Sequence, residues 1–191
     1  ENTTLDSNHD SNLLAKLAKA DLSSLMVGEF PELQGIMGKY YALASDMDKD
    51  FAQAIEDHYK PKFSGDELPQ NDTSLILSLA DKFTTLIDLF AIGEKPSGVK
   101  DPFALRRAAI SIIRILIECD INLDLIELIN KIFPSDREEN KAHLIDFIYD
   151  RLENFIKDQD YETLVVQSVC DSQPNFINDI ILKVEAVNEF K

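Results

Sequence analysis

Three histidines are the first residues to consider for acid–base or metal chemistry, because imidazole titrates near neutral pH and binds metal ions. His9 lies in a polar N-terminal stretch, His143 follows two charged turns of a helical pattern, and His58 sits on an apolar helical face. None of them has a second histidine or a nucleophile–base pair nearby in the sequence. We therefore predict that His58 is a packed side chain and that the chain contains no catalytic residue.

Acidic residues and cysteines offer two other routes to a metal site. Asp46, Asp48 and Asp50 alternate as in a calcium loop, but the central glycine and closing glutamate of an EF-hand are missing. We interpret this run as a solvated turn in which Asp46 caps a helix. Cys119 and Cys170 have neither CxxC nor Cys/His ligand spacing, so we expect two reduced core cysteines and no metal site.

Composition limits the possible partners of the chain. Its 191 residues include 35 acidic and 19 basic ones, which give a net charge of −16. Hydrophobic residues make up 45% of the chain. That balance argues against extensive wrapping of nucleic acid but allows a local basic patch. No apolar run is long enough to span a membrane and no secretory signal is visible. Because the sequence starts at Glu1, we expect a piece of a longer chain, although a processed secreted protein could start in the same way.

Hydrophobic periodicity predicts an all-α protein. Residues 1–11 are polar and are interpreted as a disordered tail or a cut loop. One helix is expected over 12–27 and closed by Gly28, and a second is expected from Pro31, with Gly35 and Gly38 allowing close helix approach. A long apolar helix, capped by Asp72 or Thr73, is expected to end at Gly93, which marks the boundary between two halves.

The second half opens with a strong helix-start pattern. After a linker rich in Pro, Gly and Lys, Asp101 is expected to be the N-cap and Pro102 the first helical residue. Ser135 and Glu138 form a capping-box pattern ahead of a further helix. The segment "YETLVVQSVC" has the composition of a strand, but its helical neighbours favour a helix.

Basic residues concentrate in two places. Lys60 and Lys62 lie in a Pro-rich break, whereas Lys100, Arg106 and Arg107 lie at the linker and the start of the following helix. In so acidic a chain this set is a candidate phosphate-contacting patch. The alternative is a set of surface salt bridges with nearby acids.

Several long, contiguous segments resemble the beta subunit of bacterial glycyl-tRNA synthetases built from separate alpha and beta chains. The resemblance is strong over about residues 15–118 and weaker beyond. It rests on "KADLSSLMVGEFPELQGIMGKYYA", "HYKPKFSGDELP", "LADKFTTLIDLFAIGEKPSGVKDPFALRRAAISIIRIL" and "AVNEFK".

The resemblance implies a domain arrangement and a set of partners. It implies an HD-like helical domain over 12–93 and a helical connector over 94–191 leading toward an anticodon-binding region. It also implies a cytoplasmic ligase with tRNA(Gly) and an alpha subunit as partners and no membrane contact. ATP and Mg²⁺ are expected for the complete ligase and no cofactor for this part of it, because glycine activation belongs mainly to the alpha subunit.

The HD-like motif is degenerate. An active HD phosphohydrolase holds metal ions with a histidine, a His-Asp pair and a distant aspartate. Asp21 and Asp81 match the two aspartates, but Ala20 replaces the paired histidine. Lys19 or Lys82 could neutralise these carboxylates. We therefore expect the fold without the hydrolase activity.

The expected role is to hold tRNA for aminoacylation without performing chemistry. The start of the helix in "DPFALRR", together with Arg106 and Arg107, would contact phosphate, and Lys60, Lys62 and Lys100 would add positioning contacts. One alternative is a purely structural or protein-interaction scaffold, in which Arg106 pairs with acids of the first half. The other is a metal-dependent HD phosphohydrolase using the two aspartates with His58 or His9.

Overall fold

The computed structural model describes residues 11–190, and all of the regular elements in this range are helical. The predicted all-α class is therefore confirmed. The prediction for residues 1–11, and His9 with it, lies outside the described part except for Ser11, where the first helix begins. The α-helices are α1 (Ser11–Leu17), α2 (Leu25–Glu29), α3 (Ile36–Ala44), α4 (Lys49–Asp57), α5 (Asp72–Ala91), α6 (Leu105–Glu118), α7 (Leu125–Ile132), α8 (Glu138–Lys157), α9 (Thr163–Asp171) and α10 (Ile180–Glu189).

Packing divides the chain inside α5, between Asp81 and Lys82. We call residues 11–81 the first unit and residues 82–190 the second unit, and each is described by itself. The predicted boundary near residue 93 coincides with the end of α5. There Gly93 has a φ of +86°, and its N–H donates to the carbonyl of Phe90 at 2.9 Å, which is a common way to end a helix. The two predicted domain assignments remain predictions.

The first unit has a small apolar core. Helices α3 and α4 pack closely together, and α1 lies against α4. The cluster of buried apolar side chains comprises Leu14, Ala18, Ala42, Phe51, Ala52, Ala54, Ile55 and Leu77.

The single helix predicted over 12–27 is wrong. The chain forms α1, then a 3₁₀ turn at Ala20–Ser23, and then α2, whose start is capped by Ser24 accepting a hydrogen bond from the N–H of Val27 at 3.2 Å. The helix predicted from Pro31 is also divided: Pro31–Leu33 form a 3₁₀ turn, and α3 starts only at Ile36. Both breaks allow one buried side chain, Asp21, to reach the start of α3.

Two predicted caps are shifted to neighbouring residues. Helix α4 is capped by Asp48, whose Oδ1 accepts from the N–H groups of Asp50 and Phe51 at 2.9 Å, and not by Asp46. At the start of α5, Asn71 accepts from the N–H of Ser74 at 2.8 Å, in place of the predicted Asp72 or Thr73. The acidic run at 46–50 thus serves as a helix start.

The second unit is built around α6 and α8, which pack against each other, with α9 against α8 and α10 against α9. The "YETLVVQSVC" segment is helical, as predicted. The capping box predicted for α8 is wrong, because this helix begins without a side-chain cap. The fully buried apolar side chains of the second unit include Leu105, Ile112, Ile113, Ile115, Leu116, Leu125, Ile129, Leu144, Ile148 and Leu152.

Within residues 11–190, no helix combines the length and apolar character needed to cross a bilayer.

Both cysteines are free thiols, and Cys170 is buried on α9. Burial, followed by the charges of Glu153 and Asp171, raises the pKa of this thiol to about 11 from an ordinary value of 9.0. In the unfolded chain the thiol loses its proton first, so the folded state loses stability as the pH rises through this interval.

We expect the unfolding free energy of a Cys170→Ala variant to fall less steeply than that of the wild type between about pH 9 and pH 11. Urea titrations across this range measure the difference. Val169→Ala, a neighbouring change that also removes buried volume but has no titrating group, is the control and should follow the wild-type slope. Parallel profiles for the wild type and Cys170→Ala would contradict the expectation.

Candidate functional site

Asp21, one of the two aspartates predicted to match the HD motif, is almost completely buried and holds the start of α3. Its Oδ2 accepts hydrogen bonds from the N–H groups of Gly35 at 2.7 Å and Gly38 at 3.3 Å. A carboxylate at the N-terminus of a helix accepts hydrogen bonds from the free backbone N–H groups and interacts favourably with the positive end of the helix dipole. Asp21 therefore links the 3₁₀ turn at 20–23 to α3.

Gly38 permits this close approach. A Cβ atom at position 38 would lie 2.6 Å from Cγ2 of Ile55 and 3.2 Å from Cγ of Asp21. Gly35 has a φ of +81°, a conformation that residues with side chains rarely adopt. Gly38 is thus explained by the close approach of Ile55 and Asp21, in agreement with the predicted close packing, and Gly35 by its positive φ and its contact with Tyr59.

Asp81, the second aspartate of that prediction, forms an ion pair with Lys19, with Nζ and Oδ1 separated by 2.5 Å. Lys19 was one of the two partners predicted for these carboxylates. Asp21 accepts from the backbone N–H groups of Gly35 and Gly38 instead of pairing with a lysine.

His58 is packed inside the first unit, as predicted. Its Nδ1 donates to the carbonyl of Ile55 at 2.8 Å, and its ring lies 3.9 Å from that of Tyr59. Burial of Tyr59, reinforced by the charges of Asp21 and Asp81, raises the pKa of its phenol. Across residues 11–190, no three His, Cys, Asp or Glu side chains converge in an arrangement that could hold a metal ion. The chemistry of these side chains is that of packing, helix capping and ion pairing.

Lys60 is engaged with two acids of the first unit. Its Nζ lies 3.0 Å from Oδ1 of Asp57, which is only 1% exposed, and 3.3 Å from Oε2 of Glu67. Burial lowers the pKa of Lys60, but the hydrogen bonds and charges of Asp57 and Glu67 outweigh burial and raise it. Lys62 is exposed, and its N–H donates to Asp66 at 2.6 Å.

In the second unit, the linker after α5 forms two successive turns. Ser97 and Lys100 exchange backbone hydrogen bonds of 3.1 and 2.9 Å, and the N–H of Ala104 donates to the carbonyl of Asp101 at 3.2 Å. Nη2 of Arg106 donates to the carbonyl of Gly98 at 2.6 Å. We call residues 97–107 the basic turn.

The predicted start of the following helix is wrong by three residues. Helix α6 begins at Leu105, after Ala104 in a left-handed conformation with a φ of 55°. Asp101 still caps it, because Oδ1 accepts from the N–H of Leu105 at 2.8 Å and Oδ2 from that of Arg106 at 3.0 Å. Its carboxylate thus occupies the N–H groups of Leu105 and Arg106, which belong to the helix start predicted to contact phosphate.

The five predicted contact residues fall into two groups. Lys60 and Lys62 belong to the first unit, whereas Lys100, Arg106 and Arg107 belong to the basic turn of the second unit. Lys100 and Arg107 are exposed, and Arg106 is half-buried against the turn. Their function as a contact site stays a prediction.

Sequence reasoning missed the exposed apolar residues of the basic turn. Val99 is fully exposed at the tip of the first turn, and Phe103 is 49% exposed in the second. The available signal was the alternation of these two residues with Gly98, Lys100 and Pro102, which is typical of a surface turn and not of a core segment.

Comparison with known proteins identifies the relatives of this chain. The family model for the glycyl-tRNA synthetase beta subunit matches residues 3–171. Glycine–tRNA ligase beta subunits from Janthinobacterium sp. (strain Marseille) and Methylobacillus flagellatus are each 50% identical, over 179 and 181 residues, and each alignment covers 92% of this chain and 26% of the relative. The protein of the same name from Delftia acidovorans is 48% identical over 183 residues, with 94% and 26% covered.

These matches place the chain among the subunits of aminoacyl-tRNA synthetases. The chain belongs to the glycyl-tRNA synthetase beta subunit family. It spans about a quarter of the length of the curated relatives that it matches.

Proposed function

We propose that this part of the beta subunit supports the binding and positioning of tRNA(Gly) for aminoacylation by the alpha subunit and performs no chemistry itself. The relatives are named as glycine–tRNA ligase beta subunits, which supports a role in that reaction. The observation that carries the proposal is the basic turn, an ordered and exposed cationic segment on a strongly acidic chain.

The charge balance of the basic turn favours a polyanionic partner. Residues 97–107 contain Lys100, Arg106 and Arg107 and a single acid, Asp101. The carboxylate of Asp101 is committed to the backbone of α6, so it is held on the helix side of the turn. Lysine and arginine contacts to phosphates position a nucleic acid without reading its sequence.

The three cations have different roles in this proposal. Lys100 and Arg107 are exposed and contact phosphates directly. Arg106 fixes the turn through its bond to Gly98 and contributes charge from there. Lys60 is held by Asp57 and Glu67, so its contribution to tRNA binding is smaller than that of Lys62, which is exposed.

The remaining features of the ligase are assigned by relationship. We infer a cytoplasmic location with the alpha subunit as a partner, because the relatives are beta subunits of a tRNA ligase. ATP and Mg²⁺ are assigned to other parts of the complete enzyme. The carboxylates of Asp21 and Asp81, predicted to match the HD aspartates, are already engaged by backbone N–H groups and by Lys19, which supports a non-hydrolytic role.

Reversing two exposed charges tests the proposal. We expect a Lys100→Glu/Arg107→Glu variant to bind tRNA(Gly) at least about tenfold more weakly than the wild type near 0.1 M salt, with a shallower dependence of affinity on salt. Fluorescence anisotropy of the 191-residue chain across a salt series measures both quantities.

Lys131→Glu supplies a control, because Lys131 is an exposed cation on α7 outside the basic turn. Its effect should be much smaller than that of a single reversal at Lys100 or Arg107. Equal effects at the three positions would show that only the overall charge matters and would contradict a localised site. No binding of tRNA by the wild type at low salt would contradict the proposal altogether.

A further inference from the structure

We infer that the basic turn binds an unpaired segment of RNA, with Phe103 stacking on an exposed base. This inference rests on the proposed function and adds the kind of RNA structure that the turn would contact. Its starting point is the position of an exposed aromatic ring between two cationic groups, Lys100 on one side in the sequence and Arg106 and Arg107 on the other.

The ring is exposed on a backbone that is already ordered. Phe103 is the third residue of the turn closed by the hydrogen bond from the N–H of Ala104 to the carbonyl of Asp101. The second residue of this turn is Pro102, whose ring fixes its φ. The preceding turn is fixed by the Ser97–Lys100 pair and by the side chain of Arg106. An ordered platform loses little conformational entropy when it binds a partner.

The chemistry of the segment suits single-stranded RNA better than duplex RNA. Bases in a duplex are stacked on one another, so a protein ring has access to base faces only at loops, bulges and ends. Single-strand binding sites combine cations along the phosphate backbone with aromatic rings on which bases stack. Lys100 and Arg107 supply the cations, and Phe103 supplies the aromatic ring.

The positive charge around Phe103 favours RNA over a polypeptide as the partner. An exposed aromatic residue alone fits either partner, but cations next to it favour a polyanion. Phe176, a second exposed phenylalanine of the same unit, is 39% exposed and lies in a segment with Asp171 and Asp179. The neighbouring cation, Lys183, donates to the carbonyl of Phe176 at 3.2 Å and is paired with Asp179 at 2.7 Å. Phe176 therefore provides a comparison for an exposed ring whose neighbouring cation is neutralised by an acid.

Binding of two model RNAs to the full 191-residue chain tests the inference. The probes are an oligo(U) strand of about ten nucleotides and a blunt RNA duplex of the same length. We expect Phe103→Leu, which keeps an apolar side chain but removes the ring, to weaken oligo(U) binding by about tenfold and duplex binding by less than about twofold. Phe176→Leu should leave both affinities at the wild-type level.

The other outcomes separate this inference from the proposed function. If Lys100→Glu/Arg107→Glu weakens binding of both RNAs while Phe103→Leu has no effect, the phosphate site stands and the stacking inference is overturned. If the wild type binds neither RNA nor tRNA(Gly), the proposed function fails and this inference fails with it. If Phe103→Leu affects only association with the purified alpha subunit, the ring is a protein contact and the inference is overturned.

Discussion

An Asp21→Ala variant is expected to lose about 3 kcal/mol of unfolding free energy, because two buried hydrogen-bond donors lose their acceptor. Oδ2 of Asp21 accepts from the N–H groups of Gly35 and Gly38, and the 2% exposure of the residue leaves water little access to replace it. Leaving one buried donor unsatisfied costs about 1–3 kcal/mol. Urea denaturation followed by circular dichroism measures the loss.

Asp21→Asn is the matched control for this prediction. Asparagine has the same shape and retains one oxygen that can accept from Gly35 and Gly38, so we expect it to lose about 1 kcal/mol or less. If both variants are equally destabilised, the negative charge and not the accepting oxygen is the stabilising element. If Asp21→Ala is as stable as the wild type, the structural role assigned to Asp21 is wrong.

The contacts of Asp21 explain why an aspartate is present at this position. Asp21 and Asp81 are the two aspartates that the resemblance assigns to an HD motif, and each has a different partner in the first unit. The fit of Gly38 against Asp21 and Ile55 shows that the neighbouring positions are also adapted to this contact. The aspartate therefore has a structural explanation that requires no metal chemistry.

The second large loss of unfolding free energy is expected when Lys60 is replaced. A Lys60→Met variant removes the cation next to Asp57 and leaves a carboxylate that is 1% exposed without this charge partner. Breaking a fully buried pair costs about 3–5 kcal/mol, and partial exposure of the lysine reduces the expected loss to about 2 kcal/mol. The pKa of Lys60 is raised, so its stabilising effect is complete below pH 10.5 and is lost at higher pH.

Lys62→Met provides a chemically identical change two residues away. Lys62 is exposed, so we expect a change of less than about 0.5 kcal/mol. Thermal and urea unfolding of the two variants near neutral pH make the comparison. Similar stabilities for Lys60→Met and Lys62→Met would mean that Asp57 does not depend on Lys60, and Lys60 would then be as available to RNA as Lys62.

Local sequence patterns predict the helices better than their ends. The apolar stripe with Leu144, Ile148 and Leu152 identifies α8, and Gly93 marks the end of α5, because both signals lie within a few residues of the feature they predict. The break between α1 and α2 depends on a contact between Asp21 and Gly35, fourteen positions apart, which no local period contains. Ser24 is a capping residue type, but apolar residues at helical spacing before and after it, Leu17 and Leu25 among them, concealed the new start.

For the candidate contact residues too, the sequence identifies what depends on residue type and position but not what depends on tertiary packing. The sequence identifies Lys60, Lys100 and Arg107 as cations near helix breaks, which depends only on residue type and position. It does not distinguish Lys60, held by the buried Asp57, from an exposed cation, because the pairing depends on how α4 and the following segment pack. The capping reach of Asp101 to Leu105 likewise depends on the conformation of the turn between them.

The most direct test of the central claim uses the assembled synthetase of alpha and beta subunits carrying Lys100→Glu/Arg107→Glu in the beta subunit. If the basic turn positions tRNA without contributing to chemistry, the KM for tRNA(Gly) rises by about tenfold or more, and glycine-dependent ATP–pyrophosphate exchange stays at the wild-type rate. Lys131→Glu should change neither quantity. An unchanged KM for tRNA, or an exchange rate that falls with aminoacylation in an assembled enzyme, would contradict the account.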